Sequence, residues 1–199
     1  MKVRELRVPG AFEFTPIQHK DGRGVFLEWF KVERLAEAAG HPLTLAQANL
    51  SVSAAGTLRG VHFADVPPGQ AKYVTCPRGA VIDFVVDIRV GSPTFGLSDA
   101  VRLDAVDRRA VYLSEGLGHA FVALEDDTTL TYLCSTGYSP GREHGINPLD
   151  PALGLPLPEG VDFLLSDKDK AAPTLAEAAD QGLLPDWQAC RDWVQSLQA

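Results

Sequence analysis

The chain has 199 residues, a length that suits one domain with a sizeable core. Hydrophobic residues make up 45% of it and charged residues 22%, a balance that argues against disorder. The formal net charge of -8 argues against a broad surface for nucleic acid or anionic membranes.

The N-terminal stretch MKVRELRVPG has no apolar signal region, and no later apolar run is long enough to span a bilayer. The three cysteines, Cys76, Cys134 and Cys190, are odd in number and lack CxxC spacing, which indicates reduced thiols. We therefore expect a cytoplasmic protein with neither a membrane nor a nucleic-acid partner. Cys76 and Cys134 lie in apolar strand patterns, so we expect them to be small buried hydrophobes.

Residues 12 to about 135 show short strand patterns separated by Gly, Pro and Asp turns, with one helix predicted at 33–39. In the stretch LAQANLSVS, polar and apolar residues alternate, as on the two faces of a strand. The polar face carries Gln47, Asn49, Ser51 and Ser53. In VIDFVVDIR, Asp83 and Asp87 share a face with Val81 and Val85.

Many short alternating strands predict a β-sandwich or barrel. Polar residues on faces that should point inward favour a barrel with a ligand cavity over a solid core. The Gly- and Pro-rich residues 137–173 predict an irregular connection. After Pro173 the pattern predicts two short helices split at Gly182–Pro185.

The segment 57–76 supplies Arg59, His62 and Lys72 within one predicted hairpin. A neutral histidine can accept a proton near pH 7, and a nearby cation can hold charge that develops on a carbonyl oxygen. Arg59 and His62 lie three positions apart, so an unbroken strand would point them to opposite faces, unless Gly60 permits a bulge. The segment by itself fits an exposed Arg, a core His and a surface Lys equally well.

Other single residues have a structural interpretation when taken alone. His119 and Tyr132 resemble core residues of strands, and Asp169 lies in LLSDKDK, which resembles a solvated charged turn. The five histidines are scattered, which argues against a metal site built on a close His pair. The sequence also lacks GxGxxG, P-loop and GxSxG motifs, which weakens interpretations as a dehydrogenase, kinase or serine hydrolase.

Stretches spread in order over roughly residues 5–175 resemble the dTDP-4-dehydrorhamnose 3,5-epimerase family. They are DGRGVFLEWF (21–30), QANLSVS (47–53), LRGVHF (58–63), PPGQAKYV (67–74), DIRVGSPTFG (87–96), YLSEGLGHAFVAL (112–124), YLCSTGYSP (132–140) and LLSDKD (164–169). The resemblance implies a homodimeric cupin-type jelly roll without metal or cofactor. It also implies an isomerase that inverts C3 and C5 of a dTDP-linked 4-keto-6-deoxyhexose.

The resemblance further implies roles for individual residues. His62 matches the catalytic base, Asp169 its carboxylate partner, and Tyr132 the acid that returns a proton on the opposite face. Lys72 and His119 match positions around the sugar ketone and phosphates, and Asp83 lies in the matching strand near the site. The nucleotide and diphosphate contacts match Arg23, Phe26, Glu28, Gln47, Asn49, Arg59, Tyr138, Glu143 and Lys168. We accordingly expect one epimerase domain over 1–199, with a jelly roll at about 10–175 and C-terminal helices at about 175–199.

The sequence departs from the family pattern at three places. Phe63-Ala64 follow the matched base, Gly118 and Ala120 flank the second histidine, and Asn147-Pro148 and Leu157-Pro158 replace Trp-containing segments. Such variants resemble the branch that serves antibiotic deoxysugar pathways, some of whose members invert only C3 or only C5. The alternatives are thus a single-site epimerase, a metal-dependent enzyme on the same barrel, or a non-catalytic sugar-nucleotide binder.

Overall fold

The computed structural model describes residues 1–198 and is mainly β. Its strands are β1 (Lys2–Glu5), β2 (Ala11–Thr15), β3 (Gln18–Asp21), β4 (Gly24–Leu27), β5 (Gln47–Ser53), β6 (Leu58–Ala64), β7 (Lys72–Arg78), β8 (Ala80–Asp87), β9 (Ser98–Asp104), β10 (Ala110–Leu113), β11 (Leu117–Ala123), β12 (Thr128–Cys134) and β13 (Glu143–Gly145). Its α-helices are α1 (Val32–Ala39), α2 (Asp167–Lys170), α3 (Leu175–Asp180) and α4 (Trp187–Ser196). None of these helices is both long and apolar enough to cross a membrane.

Two antiparallel sheets form a sandwich. One has the strand order β1-β2-β10-β7-β12-β5, and the other has the order β13-β6-β11-β8-β9. Within residues 1–198, strands β3 and β4 pair only with each other, as a separate hairpin. The chain passes repeatedly from one sheet to the other, so the expected β-sandwich is confirmed, and its form is the jelly roll that the resemblance implies.

The main core lies between the two sheets. Val74 and Leu130 from the first sheet pack with Val85 and Phe121 from the second, because alternate residues of each strand point inward. The outer face of the second sheet is covered by the segment that follows β13, including Ile146. Residues 29–43, which include helix α1, cover the outer face of the first sheet. Strand β8 is buried along nearly its whole length because one of its faces meets the core between the sheets and the other meets the segment that follows β13.

The structure confirms some of the elements predicted from the sequence and contradicts others. The helix predicted at 33–39 is confirmed as α1, and the two C-terminal helices are confirmed as α3 and α4. The prediction of one hairpin over 57–76 is wrong, because β6 and β7 belong to different sheets. The stretch 137–173 is not wholly irregular, since it contains β13, which pairs with β6, and the short helix α2.

Strand β5 lies at an edge of its sheet, and its two faces differ. The polar face points inward, where Gln47 and Asn49 line a cavity between the sheets, as the alternation predicts. The opposite face carries Leu50 and Val52, which are 64% and 54% exposed. An exposed apolar face on an edge strand is unusual for a surface that meets only water.

A buried ion pair joins the end of β8 to the C-terminal helix. Arg89 donates from Nε to Asp87 Oδ1 and from Nη2 to Asp87 Oδ2, both at 2.8 Å. Ser92 and Thr94 each donate to Asp87 Oδ2 at 2.6 Å. The Arg89 guanidinium also lies 4.4 Å from the ring centroid of Trp187 in α4, a cation–π contact.

We expect Asp87→Ala to lower the free energy of unfolding by about 3–5 kcal/mol, because it leaves the buried Arg89 charge without its partner. Glu37→Ala is the control, since Glu37 and Arg34 form an exposed pair on α1. That change should cost no more than about 0.5 kcal/mol. Urea unfolding of the two variants and the wild type measures both changes in the free energy of unfolding. Equal losses in the two variants would contradict the stabilising role of the Asp87–Arg89 pair.

The same pair predicts a dependence on pH. Burial acts to raise the pKa of Asp87, but bonds from Arg89, Ser92 and Thr94 outweigh it and hold the pKa below its ordinary value of 3.8. The stabilisation is therefore complete above that value and is lost as the pH falls through the lowered pKa. We expect the stability gap between wild type and Asp87→Ala to stay constant from pH 7 to 5 and to narrow below pH 3.8.

Candidate active site

A cavity of about 580 Å³ opens between the two sheets at the end where their inner faces are polar. Strands β5, β7 and β12 form one wall, and β6 and β11 form the other. This volume is in the range that holds a small-molecule ligand. Among the residues predicted from the sequence, those that line the cavity are Gln47, Asn49, Arg59, His62, Lys72, His119, Tyr132, Tyr138, Glu143, Lys168 and Asp169.

His62 and Asp169 form a hydrogen-bonded pair although they lie far apart in the sequence. The distance from His62 Nε2 to Asp169 Oδ1 is 2.7 Å, and the Asp169 side chain is only 5% exposed. Burial acts to raise the pKa of Asp169, but the contacts with His62, Ser166 and the Gly60 backbone outweigh it and lower that pKa. A charged carboxylate at this position holds the proton on Nε2 and leaves Nδ1 of His62 as the basic nitrogen.

The predicted solvated turn at Asp169 is wrong, because the segment folds into α2 against the cavity. Ser166 caps this helix by accepting a bond from the Asp169 backbone N–H at 3.1 Å. Asp169 itself is buried and faces His62, whereas its neighbours Asp167 and Lys168 are exposed. A short capped helix thus points one carboxylate inward.

A bulge in β6 brings Arg59 and His62 to the same cavity. His62 pairs with His119 across β11, but Arg59 pairs with Phe121, so two residues of β6 stand opposite Ala120 alone. Gly60 lies at this point with φ +115°, and a Cβ there would lie 2.7 Å from the Cα of Ala120. The bulge that Gly60 was expected to permit is therefore present.

Tyr132 lies on the wall opposite His62, on strand β12. Its hydroxyl is 3.1 Å from the Ser51 hydroxyl, and its ring meets the His119 ring edge to face at 6.1 Å between centroids. Burial raises the pKa of Tyr132, an effect larger than the opposing contact with Ser51. The phenol is therefore protonated at neutral pH and can act as a proton donor.

Lys72 stands beside Cys134 where β7 pairs with β12. Burial lowers the pKa of Lys72, and this outweighs the opposing influence of Cys134 and Glu143. Burial likewise raises the pKa of the Cys134 thiol, which accepts a long bond of 3.7 Å from Asn49 Nδ2. The predicted burial of Cys134 is confirmed, but the side chain also lines the cavity.

His119 forms a second histidine–carboxylate pair with Asp83. The distance from His119 Nε2 to Asp83 Oδ2 is 2.8 Å, and both side chains are buried. Asp83 does not line the cavity and meets it only through His119. Its other oxygen, Oδ1, is buried without a hydrogen-bond partner among residues 1–198. Asp83 therefore orients His119 from behind.

Polar groups at the mouth of the cavity are held by the polar face of β5. Gln47 accepts a bond from the Tyr138 backbone N–H at 2.9 Å, and Ser53 accepts one from Arg59 Nε at 3.2 Å. Lys168 is exposed at the rim, and Tyr138 is 60% exposed. Basic and aromatic side chains thus surround the opening, a combination that suits an anionic ligand with a ring.

Three predicted site residues lie away from the cavity of their own chain. Arg23, Phe26 and Glu28 belong to the β3–β4 hairpin and the residue after it, and none of them lines the cavity. The Arg23 side chain is 91% exposed and pairs with Asp21. Phe26 is 68% exposed. The single chain does not bring these residues together with His62.

The structure adds cavity residues that sequence reasoning did not select. They are Thr57, Leu58, Gln70, Phe121, Cys134, His144, Leu164, Leu165 and Ser166. For Phe121 the alternation with His119 on β11 was a usable signal, because both residues point to one face. His144 pairs with Asp65 at 2.7 Å, and no local pattern indicated that contact. Across residues 1–198, no three His, Cys, Asp or Glu side chains converge as metal ligands would.

Comparison with known proteins agrees with this geometry. The family model described as dTDP-4-dehydrorhamnose 3,5-epimerase matches residues 5–177. A dTDP-4-dehydrorhamnose 3,5-epimerase of Mycolicibacterium smegmatis is 58% identical, over 100% of this chain and 98% of that protein. A dTDP-4-dehydrorhamnose 3-epimerase of Streptomyces niveus is 60% identical, over 96% of this chain and 92% of the other.

A solved structure is similarly close. The crystal structure of ChmJ, a 3'-monoepimerase from Streptomyces bikiniensis in complex with dTDP-quinovose, superposes with a TM-score of 0.94. It is 52% identical and covers 97% of this chain and 98% of its own. The cupin-like jelly roll expected from the resemblance is thereby confirmed, and the chain belongs to the dTDP-4-dehydrorhamnose 3,5-epimerase family of isomerases.

Proposed function

We propose that this chain inverts C3 and C5 of dTDP-4-keto-6-deoxyglucose by removing and returning protons next to the C4 ketone. One observation carries the proposal: a histidine with its carboxylate and a protonated tyrosine lie on opposite walls of one cavity. Inversion at a carbon next to a ketone needs proton removal from one face and delivery to the other. A flat enolate between His62 and Tyr132 would meet a base on one side and an acid on the other.

His62 is the proposed base. Its Nε2 is bonded to Asp169, so Nδ1 is the nitrogen available to take the proton. As His62 becomes positive, the Asp169 carboxylate stabilises the imidazolium without becoming protonated itself, because its pKa is lowered. This arrangement favours the transition state over the neutral ground state.

Lys72 and His119 are proposed to stabilise the ketone oxygen as it becomes an enolate. Both line the cavity, and Asp83 fixes the orientation of His119. Burial lowers the pKa of Lys72, so negative charge on the bound substrate should favour its protonated form. A donor that binds oxygen more strongly as charge grows lowers the barrier to proton removal.

The nucleotide is proposed to occupy the mouth of the cavity. Arg59 and Lys168 offer charge-assisted bonds to a diphosphate, and the exposed ring of Tyr138 can stack on a base. Gln47, Asn49 and Glu143 provide polar contacts around them. A substrate of this kind agrees with the ligand dTDP-quinovose in the ChmJ structure, a relative of 52% identity.

The chain is further proposed to act as a homodimer in which the β3–β4 hairpin of one copy reaches the cavity of the other. Three observations support this. The hairpin belongs to neither sheet, Phe26 is 68% exposed, and the outer face of the edge strand β5 exposes Leu50 and Val52. A second copy would cover this apolar surface and bring Arg23, Phe26 and Glu28 to a nucleotide.

His62→Ala should lower the rate of proton exchange at C3 and C5 by about 10²- to 10⁴-fold, because no other residue takes over the base. The measurement is deuterium incorporation into dTDP-4-keto-6-deoxyglucose in D₂O, followed by proton NMR. Binding of dTDP, measured by calorimetry, serves as the control and should remain near that of the wild type. Undiminished exchange in the variant would contradict the role of His62.

Tyr132→Phe should separate the two half-reactions. The base remains, so deuterium should still enter with retention of configuration, while inversion is lost because the opposite face has no acid. Coupling constants in the same NMR spectra distinguish the epimers at C3 and at C5. If either carbon is still inverted at the wild-type rate, Tyr132 is not the proton donor at that carbon.

Mixing two inactive variants tests the dimer. If the hairpin serves the partner's cavity, a chain with Arg23→Ala and Glu28→Ala should complement a chain with His62→Ala. Each mixed dimer then contains one complete cavity, so random exchange of subunits should restore about one quarter of wild-type activity. No recovery in mixtures shown by light scattering to contain dimers would mean that the hairpin serves its own cavity or none.

A further inference from the structure

The polar face of β5 carries a row of side chains beside the cavity, and Ser51 contacts a residue of the cavity without lining the cavity itself. Gln47 and Asn49 line the cavity themselves. Ser51 does not line it, and its hydroxyl lies 3.1 Å from the hydroxyl of Tyr132, which does. Ser51 therefore acts on a ligand only through Tyr132.

A phenol carries one proton and can also accept hydrogen bonds, so its partner decides where the proton points. If Tyr132 donates to Ser51, its proton points away from the cavity. If Ser51 donates to Tyr132, the phenolic proton is free to point toward a ligand. Tyr132 is partly buried, and Ser51 is the one hydrogen-bond partner of its hydroxyl among the described residues.

We propose that Ser51 is a positioning residue that donates to the Tyr132 oxygen and thereby sets how often a removed proton is replaced on the opposite face. The inference rests on the proposed function and deepens it. Ser51 thus controls the partition between inversion and return of the proton to its original face.

Proton removal and proton return use different residues. His62 removes a proton from the carbon next to the ketone, and the electron pair of that C–H bond forms the enolate. The enolate double bond then takes the proton of Tyr132, so that a new C–H bond forms on the other face and the ketone is restored. Tyr132 is left as a phenolate, which the Ser51 hydroxyl and the Arg59 charge stabilise. Proton exchange with water returns both residues to their starting states.

Ser53 provides a matched comparison on the same strand face. Its hydroxyl accepts a bond from Arg59 Nε at 3.2 Å, so it holds a group proposed to bind diphosphate and not the proposed acid. Ser51→Ala and Ser53→Ala each remove one hydroxyl from β5. The first should act on proton delivery and the second on substrate affinity.

The test measures, for each variant, the ratio of inverted product to deuterium incorporated with retention, by NMR in D₂O with dTDP-4-keto-6-deoxyglucose. This ratio does not depend on the amount of folded enzyme. We expect Ser51→Ala to lower it by about 10- to 100-fold, the effect of losing a hydrogen bond to a charged group. Ser53→Ala should raise KM and leave the ratio at the wild-type value.

Two further variants keep the test decisive. Ser51→Thr retains the hydroxyl and should keep the wild-type ratio, whereas Ser51→Cys, with a weaker donor, should give an intermediate ratio even if the Ala variant fails to fold. In a Tyr132→Phe background, Ser51→Ala should change the exchange rate no further, because its effect passes through Tyr132.

The outcomes separate the two proposals. If the wild type exchanges no deuterium at C3 or C5, the proposed function fails. If the wild type inverts its substrate but Ser51→Ala, or Ser51→Cys in its place, keeps the wild-type ratio, the role of Ser51 is overturned. A change in the exchange rate when Ser51→Ala is added to Tyr132→Phe would also overturn it.

Discussion

Burial of polar side chains between two sheets is the constraint on which this molecule depends. A sandwich fills the space between its sheets, and here one end is filled with apolar side chains while the other end encloses polar ones. A buried polar group without a partner costs several kcal/mol in an apolar medium, so each must be bonded to another. The pairs at this end are His62–Asp169, His119–Asp83, Tyr132–Ser51 and Arg59–Ser53. Each pair also fixes a side chain that faces the cavity.

The same pairs give the two walls of the cavity different chemical properties. His62 and His119 stand directly opposite one another in the register of β6 and β11, yet their carboxylates come from α2 and β8. Tyr132 on the other sheet has a hydroxyl partner and no carboxylate bonded to it among the described residues, and burial outweighs the opposing effects of Ser51 and Arg59 and raises its pKa. The electrostatic difference between the proposed base and the proposed acid thus follows from which element supplies each partner.

The local sequence pattern correctly predicted the features that depend on residues close together in the chain. Alternation indicated the polar face of β5, and the spacing of Arg59 and His62 raised the possibility of a bulge at Gly60, which is present. The pattern failed where the partner is distant. Two strands close in sequence, β6 and β7, belong to different sheets, and Asp169 looks solvated until α2 folds against His62. The hairpin with Phe26 lies outside the cavity of its own chain, which the local pattern did not indicate.

The two faces of strand β5 have different surroundings. Its inner face holds Tyr132 and Arg59 through Ser51 and Ser53, and its outer face exposes Leu50 and Val52 at the sheet edge. A strand that is paired on one side only is held less firmly than a central one. Covering the outer face with a second copy would restrict β5 and so restrict the proton donor on its inner side. The proposed assembly and the proposed proton transfer therefore depend on the same strand, and a change that loosens the edge should disturb inversion before it disturbs proton removal from the opposite sheet.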